Sequence, residues 1–203
     1  MLVLLTMTHR AYRPDVDGLR GVAILAVVAF HGFPGWVSGG FIGVDVFFVI
    51  SGFLITGLIA DGLERRDFSF AHFYARRVRR LFPALIVVLA ACWAIGWFEL
   101  LPPDLVQLGR HVTGGAGFVA NFVFWSEAWY FDTAAAAKPL LHLWSLGVEE
   151  QFYLFWPLTL VGLWRLGRRR AMAATALIAA ASLAWGISEI PHNAVAAFYS
   201  PAS

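Results

Sequence analysis

Four groups of polar residues interrupt an otherwise apolar chain, and their types and spacing bound the chemistry it can attempt. In the run DGLRGVAILAVVAFH, Arg20 and His31 stand toward the two ends with nothing polar between them. At about 100° per residue, the eleven steps between them turn about 1100°, about 20° beyond three full turns, so both side chains share one helix face. A rise of about 1.5 Å per residue separates them by about 16 Å along the axis, which puts His31 near the hydrocarbon midplane if Arg20 sits at a membrane surface. A neutral imidazole there can accept a proton from a hydroxyl, and an arginine three turns away can hold a phosphate or a carboxylate. The plainer readings are a positive-inside anchor for Arg20 and an interfacial or packing histidine for His31.

Asp45 lies near one end of FIGVDVFFVISGFLITGLIA. It is either solvated at the membrane boundary or, if buried, able to orient a histidine or pair with an arginine, as carboxylates do in acyl-transfer sites. The block FYARRVRRLFPAL brings Arg76, Arg77, Arg79 and Arg80 to a membrane entrance. Such a row supplies topogenic charge and equally suits a polyphosphorylated ligand, because guanidinium binds phosphate bidentately. No Walker-type glycine loop is present, so nucleotide hydrolysis is not indicated. The segment LLHLWSLGVEEQFYLFWPL sets Glu149 and Glu150 side by side inside an apolar run. Counted from His142, residues Ser145, Glu149, Tyr153 and Trp156 form one narrow helical stripe, with Glu150 turned about 100° from Glu149. Arg20, Arg77 and Arg80 are the candidate counter-ions; the pair serves either as a structural tie between helices or as a catalytic acid or base.

These groups need apolar helices to carry them. Of 203 residues, 60% are hydrophobic and 14% charged, with mean hydropathy +0.70, too apolar for a soluble domain of this length. The expected class is all-α, a polytopic transmembrane helical bundle embedded in the lipid bilayer. The net charge of +2 comes from clustered arginines, Lys138 being the only lysine, which argues for retained loops and against nucleic acid. Cys92 is the single cysteine, so an intrachain disulfide and C-x-x-C metal or redox motifs are excluded, and no metal is expected.

Spans are expected at residues 19–33, 41–60, 81–101, 142–164 and 171–187, about five in all. A polar connection at 61–80 holds Arg65, Arg66, Arg76, Arg77, Arg79 and Arg80 and marks the cytoplasmic side. The apolar stretch 112–125, bounded by Arg110, His111 and Glu127, is short and weakened by Gly114, Gly115 and Gly117. Residues Arg165, Arg168, Arg169 and Arg170 place the end of the following span inside, so parity makes 112–125 a re-entrant or outer-face segment. The N-terminus has its apolar residues before its basic ones, the wrong order for a secretory signal; residues 1–13 read as a short cytoplasmic tail.

Together, YRPDVDGLRGVAILAVVAFH, GGFIGVDVFFVISGFLI, FYARRVRRLFPAL and PLLHLWSLGVEEQFYLFWPL resemble, in content and order, the acyltransferase 3 family of bacterial integral membrane acyltransferases. The resemblance runs from Tyr12 to the C-terminus and is closest to the branch that O-acetylates surface polysaccharides and peptidoglycan. It implies transfer of an acyl group, acetyl by default, from acetyl-CoA to a hydroxyl of an envelope glycan or lipid-linked saccharide, in the bacterial cytoplasmic membrane with the N-terminus inside. The family's arginine and histidine motif falls on Arg20 and His31, with His31 catalytic. Its paired loop arginines fall on Arg77 and Arg80, with Arg76 alongside, as contacts for the donor's phosphates. Its glutamate falls on Glu149 or Glu150, and the stripe favours Glu149. The family's membrane domain has more spans than this chain supplies, and an SGNH-type domain often follows in this branch. Residues 14–203 are therefore expected to be the N-terminal portion of a truncated membrane domain. The rival expectations are a transporter or flippase, in which the buried charges form a relay, and an inert truncated acyltransferase.

Overall fold

A computed structural model describes residues 13–33, 35–127, 138–189, 191–192 and 199–200. Residues 1–12 of the expected tail and most of the final segment, AFYSPAS, lie outside them. Among the described residues there are seven helices and no strand: α1 Pro14–Gly32, α2 Ile42–Arg65, α3 Phe70–Glu99, α4 Pro102–Ala116, α5 Ala120–Glu127, α6 Leu143–Trp164 and α7 Arg168–Glu189. The chain divides into two compact units, residues 1–55 and 56–203, the boundary falling within α2.

In the first unit, α1 starts with Pro14 at a position where its missing N–H costs nothing, followed by Asp15 and Asp17 at the positive end of the helix dipole. Arg13 donates to Asp15 at 2.6 and 2.9 Å, and that hydrogen bond holds the Asp15 carboxyl down at about 2. The glycines of GGFIGVD have a packing reason. A Cβ at Gly40 would strike the Ala26 carbonyl oxygen, and one at Gly43 the Ala23 carbonyl oxygen, so the start of α2 lies directly on the backbone of α1.

The second unit corrects the expected polar connection. α2 continues to Arg65, only residues 66–69 are non-helical, and α3 starts at Phe70 with Ser69 accepting from the His72 amide at 3.4 Å. Arg76, Arg77, Arg79 and Arg80 are therefore helical residues on α3, not loop residues. A run of charges marks where a membrane ends, whereas a helix ends only at a breaker, and FAHFYARRVRR contains none. Pro83 sits within α3, and Pro102 and Pro103 open α4.

The segment 112–125 is not one helix but the meeting of two, with a break at residues 117–119. The Val119 N–H reaches the Gly114 carbonyl at 2.8 Å and the Phe118 N–H the Gly115 carbonyl at 3.2 Å, a Schellman closure with Phe118 at the left-handed position. α4 packs on α3 and α5, α5 on α6, and α6 on α7. The Phe118 ring meets Phe82, about 18 Å of helix from the start of α3. The α4–α5 pair thus runs back along α3 and turns near its middle.

Leu85 and Leu89 of α3, Leu108 of α4, Ala120 and Phe124 of α5, and Leu140 and Leu143 form the buried core. Outside it, Val87, Ile95, Leu177 and Leu183 stay more than half exposed, as side chains do that face hydrocarbon. By length and composition α2, α3 and α7 can each cross a membrane. α1 and α6 fall short of that standard: α1 opens on Asp15, Asp17 and Arg20, and α6 carries Glu149, Glu150 and Gln151 among bulky aromatics. The protein is an all-helical, multi-pass membrane protein.

Candidate functional site

In residues 56–203, Arg77 is the centre of the polar groups. Its Nη2 donates to Glu150 Oε1 at 2.8 Å and its Nε to Oε2 at 3.5 Å, and its guanidinium lies 3.1 Å above the Tyr153 ring. The Tyr153 hydroxyl donates to Glu149. Both members of the ion pair are mostly buried, with side-chain exposures of 16% and 13%. A planar guanidinium stacked on an aromatic ring and forked onto a carboxylate is fixed in both orientation and charge. The two glutamates therefore have different partners. Glu150 meets Arg77, while Glu149 accepts from the hydroxyl of the ring on which Arg77 rests.

The stripe through Ser145, Glu149, Tyr153 and Trp156 is present, and at Tyr153 and Trp156 it meets other helices. Ser145 donates to the His142 carbonyl and Trp156 to Thr56 of α2. The acid that meets an arginine is Glu150, the one turned away from the stripe, because Arg77 sits at the stripe's edge where Tyr153 and Glu150 are both in reach. Of the three candidate counter-ions, Arg77 takes the role. Arg76 and Arg80 are exposed on α3 and form no ion pair or hydrogen bond among the described residues.

Beside this pair opens a cavity of about 850 Å³. Tyr74, Arg77 and Glu150 line its polar part, and Phe82, Phe118 and Phe122 are among the aromatics of its apolar part. The Tyr74 hydroxyl donates to the Leu154 carbonyl at 2.9 Å. Gln151, next to Glu150, donates to the Phe118 carbonyl and to Asn121 Oδ1, each at 2.8 Å, so α6 holds the α4–α5 break against the cavity. Phe118 has φ of 55°, a conformation that costs a non-glycine residue about 1–2 kcal/mol.

In residues 1–55, Arg20 and His31 share the unbroken helix α1, as their spacing requires. Arg20 approaches Asp17 at 3.6 Å. His31 Nδ1 is 2.8 Å from the Val27 carbonyl, an acceptor only; in the neutral ring Nδ1 therefore carries the proton and Nε2 is left as the acceptor. Asp45 is exposed in the first turn of α2 and has no hydrogen bond or ion pair among the described residues.

Sequence reasoning missed one buried cluster. His111 Nε2 lies 2.8 Å from Glu127, and Lys138 Nζ lies 3.2 Å from the same carboxylate. His111 and Lys138 are 2% and 8% exposed. The His111 ring packs on Phe124, and Lys138 Nζ lies 5.9 Å from the centroid of the same Phe124 ring. His111 and Glu127 marked the edges of an apolar stretch, and only the fold brings Lys138 to the Glu127 carboxylate. Among the described residues no group of three metal-binding side chains occurs.

A family model described as an acyltransferase domain matches residues 13–202. The chain is 40% identical over 160 residues to the peptidoglycan O-acetyltransferase OatA of Listeria monocytogenes, covering 75% of this chain and 25% of that protein. It is 38% identical over 151 residues to the O-acetyltransferase OatA of Staphylococcus aureus, covering 73% and 25%. The chain thus spans about a quarter of the length of these relatives. No solved structure matches.

Proposed function

We propose that this chain, which belongs to the acyltransferase 3 family, carries the donor-binding and histidine-bearing part of a membrane O-acyltransferase acting on a cell-envelope glycan. The reading is supported by the names of its relatives and by the geometry around Arg77. A guanidinium held at the polar end of an aromatic cavity, with Arg76 and Arg80 exposed on the same helix, suits a ligand with phosphates at one end and an extended organic arm at the other. Acetyl-CoA has that form. Residues 14–203 then form the N-terminal portion of the membrane domain, residues 1–13 a cytoplasmic tail, and α1, α2, α3, α6 and α7 five spans of the bacterial cytoplasmic membrane. The positive-inside rule puts the Arg76–Arg80 end of α3 in the cytoplasm, on the donor side.

In this reaction the acceptor hydroxyl gives its proton to His31 Nε2 as its oxygen attacks the thioester carbonyl. The carbon–sulfur bond breaks, and the departing thiolate takes up a proton to leave as the free thiol. Arg20 sits on the same face as a holder of negative charge, and Asp45 is kept as an acidic residue of the same unit. Glu150 and Glu149 set the position of Arg77.

The carrying observation is the Arg77–Glu150–Tyr153 arrangement at the cavity. Cells expressing the protein and supplied with an acetyl-labelled donor should carry label on the saccharide hydroxyl. A second reading, transport, is favoured by the broken α4–α5 pair, since interrupted helices mark substrate sites in transporters. An unlabelled saccharide that has changed sides would support transport and overturn the transferase.

A further inference from the structure

Two side-chain amides lie beside the Arg77 arrangement. Gln151 of α6 gives both hydrogens of its amide to the turn between α4 and α5, one to the Phe118 carbonyl and one to Asn121 Oδ1, each at 2.8 Å. Asn121 is fully buried, and its own Nδ2 donates at 3.1 Å to the carbonyl of Tyr199, beyond α7. Tyr199 thereby decides which way the Asn121 amide faces, since a flipped amide would set oxygen against a carbonyl and NH2 against the NH2 of Gln151. One turn earlier on the same face of α6 stands Gly147, where an added Cβ would lie 3.0 Å from Asn121 Oδ1 and 3.3 Å from the Phe118 carbonyl oxygen. The contact of α6 with the turn is therefore close, and the amide pair is its polar tie. Glu150 precedes Gln151 by one residue, so its carboxylate leaves α6 about 100° round the axis and meets Arg77. What fixes Gln151 thus fixes the roll of α6. A roll of about 10°, at about 6 Å from the helix axis, carries the Glu150 carboxylate about 1 Å, enough to undo a forked pair whose shorter arm is 2.8 Å.

We propose that Asn121 is a positioning residue for the donor site. It acts through Gln151 on the turn of α6 that presents Glu150, and through Glu150 on the guanidinium of Arg77. This rests on the reading that the cavity beside Arg77 takes the acyl donor. Only an amide at position 121 accepts from Gln151 and donates to Tyr199 at once, and no solvent reaches the site to replace either bond.

The test reads Arg77 and the donor separately, with the full chain in detergent micelles. The NMR signal of the Arg77 Nε–H, identified by its loss in Arg77→Lys, reports the guanidinium stacked on Tyr153. Asn121→Leu keeps the volume and removes both hydrogen bonds, and Gln151→Met breaks the tie from the other side. Gly147→Ala keeps every polar group and presses on the Asn121 oxygen. Each should shift the Arg77 signal and weaken binding of labelled acetyl-CoA about tenfold. Leu108→Ala opens a hole in the core where α4 meets Gly96 of α3; it should lower the unfolding temperature yet leave both readings as in wild type. An unmoved Arg77 signal in the Asn121 and Gln151 variants, or an equal loss of acetyl-CoA binding in Leu108→Ala, overturns the inference. Wild type that binds no acetyl-CoA overturns the donor reading, and a shifted Arg77 signal then still supports the link from Asn121 to Arg77.

Discussion

At the residue scale, Arg77 meets both a carboxylate and an aromatic ring, an arrangement that the sequence only half disclosed. The arginine block and the glutamate pair were both visible as charged islands in apolar runs, and their pairing was among the expected counter-ion choices. Which glutamate it would be was not legible, since the answer depends on where α3 crosses α6 and not on either periodicity. Arg77→Met leaves Glu150 buried without its partner and should destabilise the protein by about 3 kcal/mol, the low end for a broken buried pair because both groups keep some solvent contact. Adding Glu150→Gln should recover much of that loss, measured as thermal unfolding in detergent, without recovering donor binding. Arg77→Lys keeps the charge but loses the fork and the stack, so it too should bind donor poorly. Asp15 offers a pH measurement. Its carboxyl is held at about 2 by Arg13, below its ordinary 3.8, so any support the pair gives α1 is complete above about pH 4 and is lost only as pH falls toward 2. An NMR titration of Asp15 showing a midpoint near 4 would contradict that pairing.

At the element scale, the broken pair α4–α5 is the feature the sequence indicated by weakness. Gly114, Gly115 and Gly117 weakened the stretch as a single helix, and the structure divides it in two at the Phe118 break, with Gly114 and Gly115 still inside α4. The break itself could not be placed, because a phenylalanine stands where glycine would have signalled it. The elements are held by two kinds of contact. Gly115 is pressed on by Leu143, where an added Cβ would lie 2.7 Å from Cδ1 and 3.3 Å from Leu89 Cδ2. Gly115→Val should therefore cost about 1–3 kcal/mol by overpacking, seen as a lowered unfolding temperature. The His111–Glu127–Lys138 cluster ties α4, the end of α5 and the approach to α6. Glu127→Leu alone removes the carboxylate that His111 and Lys138 both meet and should cost about 3–5 kcal/mol, whereas His111→Leu, Glu127→Leu and Lys138→Met together should regain most of it. An equal loss in the triple variant would mean the charges do more than hold the elements together.

At the scale of the whole molecule, composition alone made the class legible: no soluble domain of this size is so apolar. Helix existence followed from the long apolar runs, and the errors fell at the ends of elements, where the residue 61–80 connection shrank to four residues because charge and helicity obey different rules. The proposed topology is checked by reporter fusions within the described segments. A fusion after Asp67 should report the cytoplasm and one after Leu100 the outer side; the reverse would place the arginine block, and the proposed donor entry, on the wrong face. The proposed function divides the chemistry, with His31 on α1 as the proposed proton acceptor and the cavity beside Arg77 as the proposed donor site. The most direct test of that division is acetyl transfer by the protein carrying His31→Ala. The account predicts normal membrane insertion and normal acetyl-CoA binding with no acetyl group reaching the glycan. Acetylation of the glycan at the wild-type level by this variant would contradict it.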